Sequence, residues 1–243
     1  MVRASFVRGG GQGMTAKTRI AAAGPDLIAE EPRARVPHLV FRDVLGPAVV
    51  RGLLGYVAAR EADFAPAIVR DRQSGKQRVD KARRDCLALD DLGPARDPFE
   101  SFLRAAAPRI LAELRLAETG VEPREFAICA YGNGGHFAGH IDTNEVTDRI
   151  RVVSCVYYFA AMPRRFSGGE LRLYGFPALS RGNAPDAPFV DITPETDTLV
   201  AFPSWLRHEV LPVRVPEGGS WRDHRFTINC WLHRTHSGAA SVV

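Results

Sequence analysis

The chain has 243 residues, 45% of them hydrophobic, with a formal net charge of +4. That is enough apolar material for a full core, in one large domain with an appendage or in two small ones. No apolar run approaches the roughly 20 residues that cross a bilayer, and the start MVRASFVRGGGQGMTAKTRIAAAG is broken by Gly, Arg and Lys where a signal peptide would be apolar. A cytoplasmic protein with no membrane partner is expected.

Residues 1–35 are Gly-, Ala- and Arg-rich without apolar periodicity and read as a flexible arm, within which Met14 is an alternative start. HLVFRDVL (38–45) reads as a strand leading into a helix, and from Pro47 to Phe64 apolar residues fall at helical spacing. Residues 70–85, RDRQSGKQRVDKARRD, carry seven basic side chains and read as a solvated loop, with a mobile flap over a site as the functional alternative. Asp97-Pro98-Phe99-Glu100 has the order of an N-cap, a first-turn proline and a capping-box glutamate. Phe99, Phe102, Leu103, Ala106, Ile110, Leu111 and Leu114 then mark one apolar helix face.

After Glu122 the pattern changes to strands. EFAICAY (125–131), RIRVVSCVYYFA (150–161), GGELRLY (168–174), FVDI (189–192), DTLVAFP (197–203), HEVLPVRV (208–215) and HRFTINCWLH (224–233) are short, β-branched or aromatic, and separated by turns. Such a run implies a sandwich or barrel. Cys86, Cys129, Cys155 and Cys230 form no C-x-x-C pair, which argues against a zinc ribbon or redox dithiol. Basic stretches interleaved with aromatics are lacking, so no nucleic-acid partner is expected.

The chemistry gathers around GGHFAGHIDTN (134–144). In extended chain His140 and Asp142 project to one side, and His208 opens a later strand. Two histidines and a carboxylate on neighbouring strands can occupy one face of an octahedral ion and leave three positions open, the facial triad of non-heme iron oxygenases. His136 is the weaker candidate, because Gly134, Gly135 and Gly139 disfavour the helix that would pair it with His140. In HRFTINCWLH, Arg225, Thr227 and Asn229 make one polar face in a strand otherwise fit for a core. A buried arginine needs an anion, and its fork suits a dicarboxylate; a structural salt bridge is the alternative.

Tyr131 to Leu232 resembles the Fe(II)/2-oxoglutarate-dependent oxygenases of the prolyl-4-hydroxylase-like branch. The matching segments are YGNGGHFAGHID, SCVYYFA, SGGELRLYG, DTLVAFPSWLRHEVLPV and RFTINCW, in the family's order. The resemblance implies a mainly β fold with supporting helices, a double-stranded β-helix (jelly-roll). It would comprise an oxygenase domain over residues 36–236, with helical support at 36–120 and the core at 121–236, and a flexible tail at 237–243. It implies His140, Asp142 and His208 as iron ligands, and Arg225 and Tyr158 on the distal carboxylate of 2-oxoglutarate. Thr227 would add a hydroxyl, and Tyr131 would lie near the cosubstrate's other end. PEGGSWRD lengthens the last turn, which makes Arg222 the alternative anchor.

The implied cofactors are Fe(II), 2-oxoglutarate and O2, with ascorbate as an accessory reductant. The implied reaction hydroxylates an unactivated C–H bond and releases succinate and CO2. A prolyl residue in a protein or peptide is the first substrate expected, and an amino-acid-like small molecule the second. The intact Asp142 argues for hydroxylation over halogenation. A cupin-like metal-binding module without oxygenase activity is the alternative, and Arg225 discriminates, because a bare metal site has no use for a buried guanidinium.

Overall fold

The structure, a computed structural model, describes residues 36–70, 77–117, 120–143, 150–175 and 188–235. The expected arm at 1–35 and tail at 237–243 lie outside the described residues. Strand β1 (Leu39–Arg42) leads into helix α1 (Gly46–Ala59), which buries Val50, Leu53 and Val57. The expected helix to Phe64 ends sooner, in a 3-10 turn at Glu61–Asp63. Short strands follow: β2 (Ala65–Pro66), β3 (Ile68–Arg70), β4 (Gln77–Val79), β5 (Arg84–Asp85) and β6 (Leu87–Leu89). Helix α2 (Arg96–Glu113) then precedes the long strands β7 (Val121–Tyr131), β8 (His136–His140) and β9 (Arg151–Phe159). Next come β10 (Ser167–Gly168), β11 (Leu171–Tyr174), β12 (Phe189–Ile192) and β13 (Thr198–Pro203). The last are β14 (His208–Val210), β15 (Val213–Arg214) and β16 (Arg225–Arg234).

These strands form a jelly-roll. The larger sheet runs β1-β13-β9-β16-β7-β6-β2 and the smaller β12-β11-β14-β8-β5, with antiparallel neighbours throughout. Alternation along the strands of the larger sheet gives it two different faces. One carries Ile128, Tyr157, Phe159, Phe226 and Ile228 against Leu53, Val57, Phe99, Leu103 and Ile110 of the two helices. The other carries Cys129 and Tyr131, clustered with Val210, and Tyr158, clustered with Leu171 and Leu173. The helices therefore stiffen one sheet from behind and leave its other face to the smaller sheet. All four cysteines are buried and free.

Three local expectations are corrected. The polar run 70–85 is no simple loop: among its described residues, β4 pairs with β3, Ile68 opposite Val79, and β5 pairs with β8. These ladders are made by backbone while the side chains of β4 stay exposed, so no apolar alternation marks them. Asp97 is not the N-cap of α2. The 3-10 turn Gly93–Ala95 runs straight into the helix, the N-cap is Ala95, and Asp97 falls in the first turn, where a carboxylate still complements the helix dipole. Glu100 pairs sideways with Arg96 and Arg104. HEVLPVRV is two strands, because Pro212 between them has no N–H to give a ladder.

Candidate active site

Strands β8 and β14 lie side by side with His140 opposite His208, their ring centroids 4.1 Å apart. The backbone N–H of Asp142 donates to the Ser204 carbonyl at 2.9 Å, which holds the residue beyond β8 against the end of β13. Its carboxylate then lies between the rings, Oδ1 3.5 Å from His140 Nε2 and Oδ2 3.4 Å from His208 Nε2. One ligand atom from each of the three residues falls within 4.8 Å of the others.

The orientation of both rings is fixed from behind. His140 Nδ1 lies 2.9 Å from the Ala138 carbonyl and His208 Nδ1 2.9 Å from the Leu206 carbonyl. A carbonyl only accepts, so each ring carries a proton on Nδ1 and turns Nε2 toward Asp142. Burial and the neighbouring His140 push His208 down to about 4 against the pull of Asp142, so it is neutral at pH 7. Burial alone would raise the Asp142 carboxyl, but His208, His140 and the Ser154 hydroxyl outweigh it and hold it below the ordinary range. Ser154 Oγ donates to Asp142 Oδ2 at 2.6 Å. Two imidazole Nε2 atoms and an ionised carboxylate thus converge. That donor set, two imidazoles and a carboxylate with buried walls, fits a divalent iron-group cation.

Arg225 heads β16, opposite Tyr131 of β7, and is 1% exposed. Its guanidinium carbon lies 4.8 Å from the Tyr131 ring centroid and 5.1 Å from that of Tyr158. Nε donates to the Gly169 carbonyl at 2.7 Å. Nη1 and Nη2 have no hydrogen-bond partner, nor have the buried Tyr158 hydroxyl and Thr227 Oγ1. Among the described residues no carboxylate pairs with Arg225. Two guanidinium nitrogens and two hydroxyls, buried together and unanswered, are donors that a carboxylate of a dicarboxylic acid fits. Tyr131, Thr227, Arg225, His140, Asp142 and His208 line one cavity of about 1230 Å³.

The structure thus brings all seven expected residues together. Tyr157 takes the opposite face, where its hydroxyl donates to Asp197 at 2.8 Å. His136 stands apart, with Nδ1 and Nε2 against the Gly134 and Ala82 carbonyls. Arg222 is exposed on the 3-10 turn Trp221–Asp223 and gives no anchor. Trp221 packs against Phe64 and Phe226, while Trp231 lines the cavity. Sequence reasoning missed Ser154, a polar residue in an apolar strand, and Gly169. At φ +70° Gly169 leaves no room for a Cβ, which would fall 2.6 Å from Arg225 Cδ.

Comparison with known proteins agrees with this geometry. Residues 126–233 match the family model of the 2OG-Fe(II) oxygenase superfamily. A PKHD-type hydroxylase of Synechocystis sp., itself uncharacterised, is 31% identical over 132 residues, which are 54% of this chain. The match spans only 43% of that relative's length. A prolyl-4-hydroxylase from Pseudomonas putida superposes with a TM-score of 0.60 at 24% identity, over 82% of this chain and 94% of that one. A prolyl hydroxylase from Trichoplax adhaerens, solved with a hypoxia-inducible-factor peptide, gives 0.57 at 19% identity, over 82% and 84%. At these identities the two structures speak for the fold. The converging triad, the match of residues 126–233 to the family model and the jelly-roll point one way: this part of the chain is similar to the 2OG-Fe(II) oxygenases, and its fold is prolyl-4-hydroxylase-like.

Proposed function

We propose that the protein is an Fe(II)- and 2-oxoglutarate-dependent dioxygenase that hydroxylates an unactivated C–H bond. The substrate would be a prolyl residue or an amino-acid-like small molecule. His140, Asp142 and His208 would hold the metal. Arg225, Tyr158 and Thr227 would hold the distal carboxylate of 2-oxoglutarate, and Tyr131 would flank its other end. When bound, the metal and cosubstrate supply the oxidising chemistry, with succinate and CO2 as coproducts. The protein's part is placement. The Ala138 and Leu206 carbonyls keep both Nε2 atoms inward, and Ser154 holds one carboxylate oxygen of Asp142. The buried walls of Tyr131, Tyr158 and Leu171 keep water from the reacting end.

One observation carries this reading beyond a metal-binding module: the unanswered donors of Arg225, Tyr158 and Thr227 beside the triad. The test adds Fe(II) and 2-oxoglutarate to metal-free protein without oxygen and records the visible spectrum. A charge-transfer band that needs both additions, and is weakened in Asp142→Ala and Arg225→Ala, is the expected result. Stoichiometric iron with no band would leave a metal-binding module.

A further inference from the structure

Arg83, Arg84 and Arg151 line the same cavity as Arg225; of these Arg84 is the one that stacks beside the triad, and the mechanism does not use it. It lies on β5 opposite Phe137 of β8. Its guanidinium carbon stands 4.8 Å from the Phe137 ring centroid, and that ring stacks on His140 with centroids 3.6 Å apart. Two contacts therefore separate Arg84 from the triad. The Tyr131 ring, 4.8 Å from the Arg225 guanidinium carbon, belongs to the same cavity wall as Arg84.

The two arginines occupy unlike places. Arg225 is sealed at the blind end of the cavity, 1% exposed. Arg84 is half-buried, under the β3 backbone, with Nη1 3.5 Å from the Ile68 carbonyl and open to solvent. Its other contacts are to sulfur: Nε to Cys86 Sγ and Nη2 to Cys129 Sγ, each 3.3 Å. No carboxylate answers it among the described residues. Asp85 follows it but pairs across with His136 and so takes the other face of the strand. Of the acids that line the cavity, Asp63 and Asp91 pair with Arg60, and Glu125 with Arg151 and His233; Asp90 lines it too. The bond with Cys129 and the Arg84 charge draw the Cys86 thiol down to about 6 against its burial; the Nε side of the guanidinium faces the two sulfurs, and its Nη1–Nη2 end is left to take a carboxylate by two parallel N–H bonds.

We propose that Arg84 is a specificity-determining residue that binds a carboxylate of the substrate, so that the C–H bond presented beside His140 belongs to a carboxylate-bearing, amino-acid-sized group. This rests on the oxygenase reading above. The carboxylate is either the free α-carboxylate of an amino acid or the side chain of an acidic residue in a peptide. Arg84 would hold the substrate while Arg225 holds the cosubstrate.

The test is a binding measurement on protein loaded with Fe(II) and 2-oxoglutarate without oxygen. The probes are N-acetyl amino acids, each as free acid and as primary amide. N-acetyl-aspartate and N-acetyl-glutamate carrying an amide only at the α-carboxyl report on a side-chain carboxylate. At least one acid is expected to bind roughly ten- to a hundred-fold more tightly than its amide, the range of a charge-assisted pair. Arg84→Gln should erase that ratio without weakening the amide, and Arg84→Lys should keep part of it. A ratio near one for every pair in the wild-type chain overturns the proposal whether or not the variants fold. So does an equal loss of acid and amide binding in Arg84→Gln. Because 2-oxoglutarate chelation is read separately by its absorption band, absence of that band counts against the oxygenase reading, and its presence with no acid preference counts against Arg84 alone.

Discussion

At the scale of single residues the site depends on groups that touch neither metal nor cosubstrate. Ser154 Oγ donates to Asp142 Oδ2 at 2.6 Å and also reaches Ser204 Oγ at 3.1 Å. Ser154→Ala should weaken divalent-metal affinity about ten-fold, the lower end of what loss of a supporting partner costs, with folding intact. A titration with Co(II), read by its visible absorption, checks it. Gly169 acts on Arg225 instead. Its carbonyl takes the Nε–H, and its backbone at φ +70° has no space for a Cβ. Gly169→Ala should raise the dissociation constant for 2-oxoglutarate about ten-fold, the scale of one displaced charge-assisted bond, and leave metal affinity unchanged. The four principal site residues were legible because their chemistry is conspicuous in the sequence: imidazole and carboxylate two apart, a distal strand-borne histidine, an arginine in an apolar strand. Ser154 and Gly169 were not. A serine in a β-strand and a glycine in a turn are ordinary in sequence, and what makes them matter is which atoms stand across from them.

At the scale of elements, α1 is started by a residue far away in sequence. Leu45 at its N-cap makes no side-chain bond. The Asp197 carboxylate takes the backbone N–H of Leu45 at 2.8 Å and of Gly46 at 2.9 Å, while the Tyr157 hydroxyl donates to it at 2.8 Å. One buried acid thus caps the helix and ties it to β9 and β13. Asp197→Ala should cost about 2–4 kcal/mol, a lost cap plus an unsatisfied buried hydroxyl. Urea unfolding measures it. Tyr157→Phe should cost less, and the double variant less than the two together, because both changes remove the same bond. No sign of this cap is visible in the sequence, since Asp197 reads as the first residue of a strand, 152 positions from the N–H it accepts. The same limit hid the short strands. Helices and long strands declare themselves by apolar period, as the buried face of α2 did, but β4 and β5 are placed in their sheets by backbone pairing. Their side chains are exposed or half-buried and carry no pattern to read.

At the scale of the whole molecule, the candidate metal triad and the donors proposed for the dicarboxylate belong to different sheets. His140 and His208 are carried by β8 and β14 of the smaller sheet, Arg225, Thr227, Tyr131 and Tyr158 by β16, β7 and β9 of the larger. The larger sheet is stiffened by α1 and α2, and the smaller has no helix behind it among the described residues. A metal alone would fasten the smaller sheet to itself and to Asp142, whereas a metal with 2-oxoglutarate would join the two sheets across the cavity. Ligands that bind only the folded chain stabilise it by mass action, about 2.7 kcal/mol at a hundred-fold excess over the dissociation constant, which is a rise of several degrees in Tm for a domain this size. A divalent metal should therefore raise Tm, and 2-oxoglutarate should raise it further only when metal is present. Asp142→Ala should abolish both increments, and Arg225→Ala should abolish the second while keeping the first. Thermal unfolding of the three proteins under nitrogen, with Mn(II) as the metal, separates these outcomes. An increment from 2-oxoglutarate that survives in Arg225→Ala would mean that the distal carboxylate is held elsewhere and that the two sheets are not joined through β16.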